Sequence, residues 1–213
     1  MRKRSFKSRT ITLLGIPLIS AMLYFLPAQA TSWLESIPQL FQFLQKSDPE
    51  PNKPITLDAT TRLQMGTSPD GGALTLVLSA INSATSSINV ASYSFTSKKI
   101  AQALLNKHRQ GIKVRIVMDQ SQESDKYSSA TFLANAGIPV RINSRYAIQH
   151  SKIMIIDEHT VETGSFNFSN AAATRNSENV LVIWNQPELA KQYTDYWLRL
   201  WNEASPYHRK LSR

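Results

Sequence analysis

The segment His150-Ser151-Lys152-Ile153-Met154-Ile155-Ile156-Asp157 sets two polar, chemically active residues one position apart at the head of an apolar run. Read as a β-strand with a period of two, it projects His150 and Lys152 side by side on one face and turns Asp157 to the other. An imidazole and an ammonium then share a site, while the carboxylate orders the turn that follows. A lysine on so apolar a strand needs a partner or a cleft, because an unpaired buried ammonium costs several kcal/mol.

The turn Asp157-Glu158-His159 leads to a second strand, Thr160 to Thr163, which runs into Gly164-Ser165-Phe166-Asn167. Ser165 and Asn167 share parity, so a hydroxyl and an amide converge near the His150 and Lys152 pair. Glu178 stands at the mouth of the next strand, Asn179 to Trp184. An imidazole, a cation, neutral donors and a carboxylate are what a phosphodiester site needs. A nucleophile attacks phosphorus, donors neutralise the oxygens as charge shifts, and a carboxylate holds the histidine in its reactive tautomer.

His150-x-Lys152-x4-Asp157, followed after six residues by Gly164-Ser165-x-Asn167, resembles the histidine–lysine–aspartate signature of the phospholipase D superfamily. Within it, the chain looks most like the small secreted bacterial endonucleases that carry one copy of the motif. The resemblance runs from about Gly66 through Trp201 and includes Ser92–Ser97, Gly164–Ser169 and Asn176–Asn179. It implies that His150 is the nucleophile and forms a covalent phosphohistidine. Lys152 and Asn167 would bind the phosphoryl oxygens with help from Ser165, and Glu178 would orient the histidine. Asp157 matches the motif's aspartate, in a structural role. No metal or other cofactor is implied, in keeping with the lack of cysteine and of clustered-carboxylate patterns.

The reaction also needs an acid for the leaving oxygen. The other histidines, His108, His159 and His208, repeat no part of the motif and read as surface residues. A two-fold dimer would bring His150 and Lys152 of two chains into one cleft, as in the single-motif members of the superfamily. A homodimer is therefore expected.

These residues require a frame to hold them. A turn at Ser68-Pro69-Asp70-Gly71-Gly72 precedes Leu74, Val77, Leu78 and Ile81, one apolar helix face. Ser87 to Phe95 reads as a strand, and Ser97 caps a helix that ends at Gln110 and Gly111. Ile112 to Met118 is a strand, Ser124 to Ala136 a helix, Pro139 to Asn143 a strand and Ile148 to Ile156 another. Pro187 opens a final helix with Leu189, Tyr193, Tyr196, Trp197 and Leu200 on one face. The alternation predicts one α/β domain over 55–213, a mixed and largely parallel central sheet with helices on both faces, the phospholipase D-like sandwich.

Ahead of this domain the chain reads as an address. Five bases lie in the first nine residues, Ile11 to Leu26 carries no charge, and Pro27-Ala28-Gln29-Ala30 offers small residues for cleavage. Residues 1–30 are expected to be a signal peptide, with an uncleaved membrane anchor as the alternative. The body is thus exported, to a periplasm or beyond. Residues 31–54 comprise an amphipathic stripe, suited to the body or to a membrane surface, and a linker with Pro49, Pro51 and Pro54.

The net charge is +9, but removing the five N-terminal bases from 24 leaves 19 against 15 acids. The body is only mildly basic. Lys98, Lys99, Arg141, Arg145 and Arg175 are candidates for a phosphate track. Asp119, Glu123 and Asp125 form a small acidic loop, read as solvated. The substrate reading is DNA, or RNA, cut with little sequence preference. The alternatives are a phospholipid phosphodiesterase at a membrane surface and a non-catalytic nucleic-acid-binding module.

Overall fold

The structure is a computed structural model that describes residues 51–208. The expected signal peptide and amphipathic stripe lie outside the described residues. Runs rich in Val and Ile form most of the strands. In chain order these are β1 (Arg62–Ser68), β2 (Ser87–Ser92), β3 (Lys113–Asp119), β4 (Val140–Asn143), β5 (Lys152–Ile156), β6 (Thr160–Gly164), β7 (Glu178–Trp184) and β8 (Ser205–Pro206). The helices are α1 (Ala73–Ser83), α2 (Lys98–Arg109), α3 (Ala130–Asn135), α4 (Asn170–Thr174) and α5 (Pro187–Glu203), with a 3-10 turn at Gln120–Glu123.

One sheet holds all eight strands in the order β1-β7-β6-β5-β2-β3-β4-β8. It is a mixed α/β architecture with helices on both faces, but it is not largely parallel. Only β2 with β3 and β3 with β4 pair in parallel, and the remaining pairings are antiparallel. Connection length explains the difference. α2 and α3 supply the crossovers that parallel neighbours require, whereas the short turn at 157–159 obliges β5 and β6 to run oppositely.

Alternation along the strands divides the core in two. Val90, Ile116, Met154 and Val182 face Val77 and Ile81 of α1 and Ile100 and Leu104 of α2. Ala91, Val117, Ile153, Ile155 and Ile183 face Trp197 and Leu200 of α5. Trp197 is wholly buried and still satisfies its indole N–H on the Val90 carbonyl, at 2.8 Å.

Three elements depart from the sequence reading. β1 was not anticipated, because it is an edge strand whose first four residues are exposed. The helix expected over 124–136 is reduced to the six-residue α3, preceded by the 3-10 turn at Gln120–Glu123. Here Asp119 and Asp125 accept the backbone N–H groups of Ser121 and Tyr127, at 2.9 and 2.8 Å, and so favour turns over helix. Finally, β5 begins at Lys152, not Ile148, so His150 lies just before the strand.

The reversal of β5 decides where chemistry can occur. Lys152, its first residue, pairs with Ser92, the last of β2. The ends of β2, β3 and β6 and the starts of β5 and β7 therefore share one edge of the sheet. That edge is the carboxyl end of the parallel strands, where open α/β sheets place their ligands.

Candidate active site

The β5–β6 hairpin is locked at the edge far from His150. Asp157 and Glu158 turn the chain with φ of 52° and 60°. The Asp157 carboxylate accepts the N–H groups of Thr85, Ser86 and Ser87 at 2.7–2.8 Å and the hydroxyls of Thr85 and Ser86 at 2.8 Å. Burial alone would push this carboxyl up, but the bonds from Ser87, Thr85 and Ser86 hold it well below the usual carboxylate range. Asp157 thus ties the hairpin to the loop before β2.

At the near edge, the segment carrying His150 is clamped from several sides. Gln149 donates its N–H to Asp119 at 2.8 Å, and Ser151 shares a hydrogen bond with the Tyr196 hydroxyl of α5 at 2.7 Å. The Ser151 carbonyl accepts the Tyr93 N–H at 3.0 Å. Between these ties the His150 side chain is exposed. Lys152 Nζ lies 3.0 Å from His150 Nδ1 and 2.6 Å from its carbonyl oxygen. The lysine is only 6% exposed. Burial pushes its ammonium pKa down, against the opposing pull of the Glu178 charge.

Tyr93 completes this corner. Its ring centroid is 4.5 Å from that of His150 and 5.2 Å from Lys152 Nζ. It braces the imidazole and offers its face to the ammonium. Sequence reading did not single out Tyr93, and its signal was the Ser92–Ser97 segment that begins at the end of β2.

At the end of β6 the backbones of Gly164 and Asn179 approach so closely that a Cβ at 164 would collide with the Asn179 carbonyl oxygen. Glycine is required there by space. Ser165 then donates to Glu178 Oε2 at 2.6 Å and accepts the Asn179 N–H at 3.1 Å. Glu178 Oε1 accepts from Asn176 at 3.0 Å. Its carboxylate oxygens are thus directed to Ser165 and Asn176 within the chain, and not to His150 as expected. Phe166 and Phe168 enter the core on either side of Asn167, whose Oδ1 is buried without a partner. The arrangement offers one nucleophile, one cation and neutral donors at a single edge.

The other expected residues divide. Lys98, Lys99, Arg145 and Arg175 are exposed, and each follows a strand that ends at the site edge or the helix after it. Arg141 does not belong with them. Its guanidinium packs 4.5 Å from the Trp201 ring and donates to the Trp201 carbonyl at 2.8 Å, a structural role. Asp119 is buried rather than solvated. His108 and His159 lie toward the opposite edge, and His208 in the exposed tail. Among the described residues, no group of three or more His, Asp or Glu side chains is placed to hold a metal ion.

Comparison with known proteins gives a consistent picture. A family model described as "Cardiolipin synthase, PLD-like domain" matches residues 77–201, more than half of the chain. The curated phospholipase D of Rickettsia conorii is 41% identical over 61% of this chain and 64% of its own length. The mitochondrial cardiolipin hydrolase of Chlamydomonas reinhardtii is 32% identical over 61% of this chain and 58% of its own. The chain thus spans just under two thirds of the first curated relative. Among solved structures, the phospholipase D family member Nuc from Salmonella typhimurium is 46% identical, with a TM-score of 0.68. That match covers 70% of this chain and 99% of Nuc.

Proposed function

The chain belongs to the phospholipase D-like family, and from that premise we propose that it is a phosphodiesterase, specifically an exported endonuclease that cleaves DNA or RNA through a phosphohistidine. The observation that carries this reading is the pairing of exposed His150 with buried Lys152 at 3.0 Å, beside Ser165 and the unpartnered Asn167 Oδ1. His150 attacks phosphorus, a P–N bond forms and a P–O bond breaks, and the leaving oxygen takes a proton from an acid. Water then hydrolyses the P–N bond and frees the second product. Lys152 and the Asn167 amide N–H neutralise the phosphoryl oxygens as charge shifts.

A homodimer is part of this proposal. An ammonium at Lys152 donates to Nδ1, which leaves the proton of a neutral imidazole on Nε2. Attack through Nε2 needs the opposite tautomer, with Nδ1–H directed to a carboxylate. Glu178 of the same chain is directed elsewhere, and no second histidine of the described residues stands at the site edge. A second copy related by a two-fold axis would supply both a carboxylate and an acid.

Nucleic acid is favoured as substrate by the match to nearly the whole of Nuc, whose name accords with a nuclease. Four exposed cations at the site edge add to it. A phospholipid is the second reading, favoured by the names of the curated relatives. Plasmid DNA incubated with the chain in excess EDTA decides between them. Nicking that persists in chelator and disappears in His150→Ala is expected. DNA left intact with and without divalent metals, together with turnover of a phospholipid dispersion, would establish the lipid reading instead.

A further inference from the structure

Along the same edge, beyond the catalytic corner, a cavity of about 400 Å³ opens between the start of α2 and the segment leading into α3. Tyr127 and Phe132 flank it, 74% and 45% exposed, among the large apolar side chains left in solvent. Thr96, Lys98, Gln102 and Ser128 supply the polar part of its wall. Its back is tied to the site: the N–H groups of Thr96 and Ser97 donate to the Phe168 carbonyl at 3.0 and 2.9 Å, and Phe168 follows Asn167 directly. Ser129, on the opposite wall, donates to the Phe95 carbonyl at 2.8 Å. From Tyr93, which touches His150, to Thr96 is three residues, at most about 10 Å of chain.

Resting on the nuclease reading, we propose that this cavity is a nucleobase subsite, holding a base that flanks the scissile phosphodiester. Exposed aromatic rings are platforms on which any base can stack. Hydroxyl, amide and ammonium groups around the wall meet the edges of a heterocycle and the next phosphate. An acyl chain in the same place would strip water from those groups and return no hydrogen bonds. A stacking contact without a fixed set of edge contacts also agrees with low sequence preference.

The test uses end-labelled single-stranded oligonucleotides, each with one abasic position moved stepwise along the strand, cut by the full chain. Cleavage should fall about tenfold at one fixed offset from the abasic position. In Tyr127→Ala/Phe132→Ala that offset effect should shrink to within about twofold, while Tyr127→Phe, which keeps the ring, retains it. Cleavage with no fixed-offset effect, or with the same effect in the double variant, would overturn the subsite and leave the nuclease reading intact. No His150-dependent cleavage at all would remove that reading and the subsite with it. Loss of phospholipid turnover in the double variant with an unchanged oligonucleotide pattern would assign the cavity to an acyl chain. A fall from dimer to monomer on making the double variant would identify the patch as a subunit contact instead.

Discussion

Asp119, buried at the end of β3, accepts the backbone N–H of Gln149 at 2.8 Å and so holds the peptide immediately before His150. Its other oxygen caps the 3-10 turn through Ser121 at 2.9 Å. Both oxygens thus bond backbone N–H groups, and the carboxylate holds the proposed nucleophile in place.

Asp119→Ala is therefore expected to lower kcat on DNA by about tenfold or more with little change in KM, because a displaced nucleophile loses rate rather than binding. A stability loss of about 1–3 kcal/mol should accompany it, from the backbone N–H left unsatisfied. Asp119→Asn, which keeps one acceptor, should recover part of the rate. Steady-state kinetics beside urea unfolding checks both; an unchanged kcat would show that the peptide holds itself.

Burial pushes the Lys152 pKa down, so the ammonium proposed to bind the phosphoryl group deprotonates at a lower pH than an ordinary lysine. Cleavage should decline on the alkaline side, and that limb should begin below the pH of about 10.4 at which free lysine titrates. Tyr93→Ala removes a ring face from the ammonium but opens the corner to water. Because burial is the largest cause of the shift, the limb should move upward. A pH–rate profile of both proteins reads the difference, and coincident alkaline limbs would count against Tyr93 as a brace.

Glu162 has both carboxylate oxygens buried without a partner, on the sheet face covered by α1. Its strand neighbours there are Met154 and Val182. Burial pushes its pKa up to about 8, from the 4.5 of an ordinary glutamate. Between those values the folded chain keeps a proton that the unfolded chain has released. Stability therefore falls as pH rises through that window, by up to about 1.4 kcal/mol per unit. Glu162→Gln should remove this dependence and gain at least about 2 kcal/mol on the wild type between pH 5 and pH 8. Urea unfolding at the two pH values measures it; parallel losses in both proteins would place the proton elsewhere.

Asp157 should behave oppositely. Its pKa is held down by five hydrogen bonds, so its contribution is complete above the unfolded carboxyl pKa and disappears as pH falls through the folded one. Asp157→Asn keeps an acceptor but loses the charge, and should be less stable at neutral pH yet closer to the wild type in acid. Thermal unfolding from pH 7 down to pH 3 tests this, and a constant gap would show that shape alone matters.

Much of the candidate site was legible because its parts are local. His150 and Lys152 sit at the start of β5 and Gly164 to Asn167 at the end of β6, two strands joined by one short turn. Spacing alone therefore brings them to one edge and leaves Asp157 at the other. Tyr93 and Asp119 were not legible as site residues, since only the strand order β5-β2-β3 sets them beside His150. Arg141 was misread because residue type does not reveal whether a guanidinium meets a phosphate or a tryptophan. Helix faces such as that of α5 followed from periodicity. Strand direction did not, because an apolar run reads the same in either sense.

The two edges of the sheet have different content, and this bears on how the protein could be handled. The candidate site lies where β2 and β3 end, while the turn from α2 into β3 lies at the other edge. There Gly111 adopts φ +87° and would meet nothing on gaining a Cβ. A tether or reporter inserted at that turn would leave the molecule on the far side from His150. The enzyme could then be fixed to a bead or fused to a carrier with its working edge still facing solution.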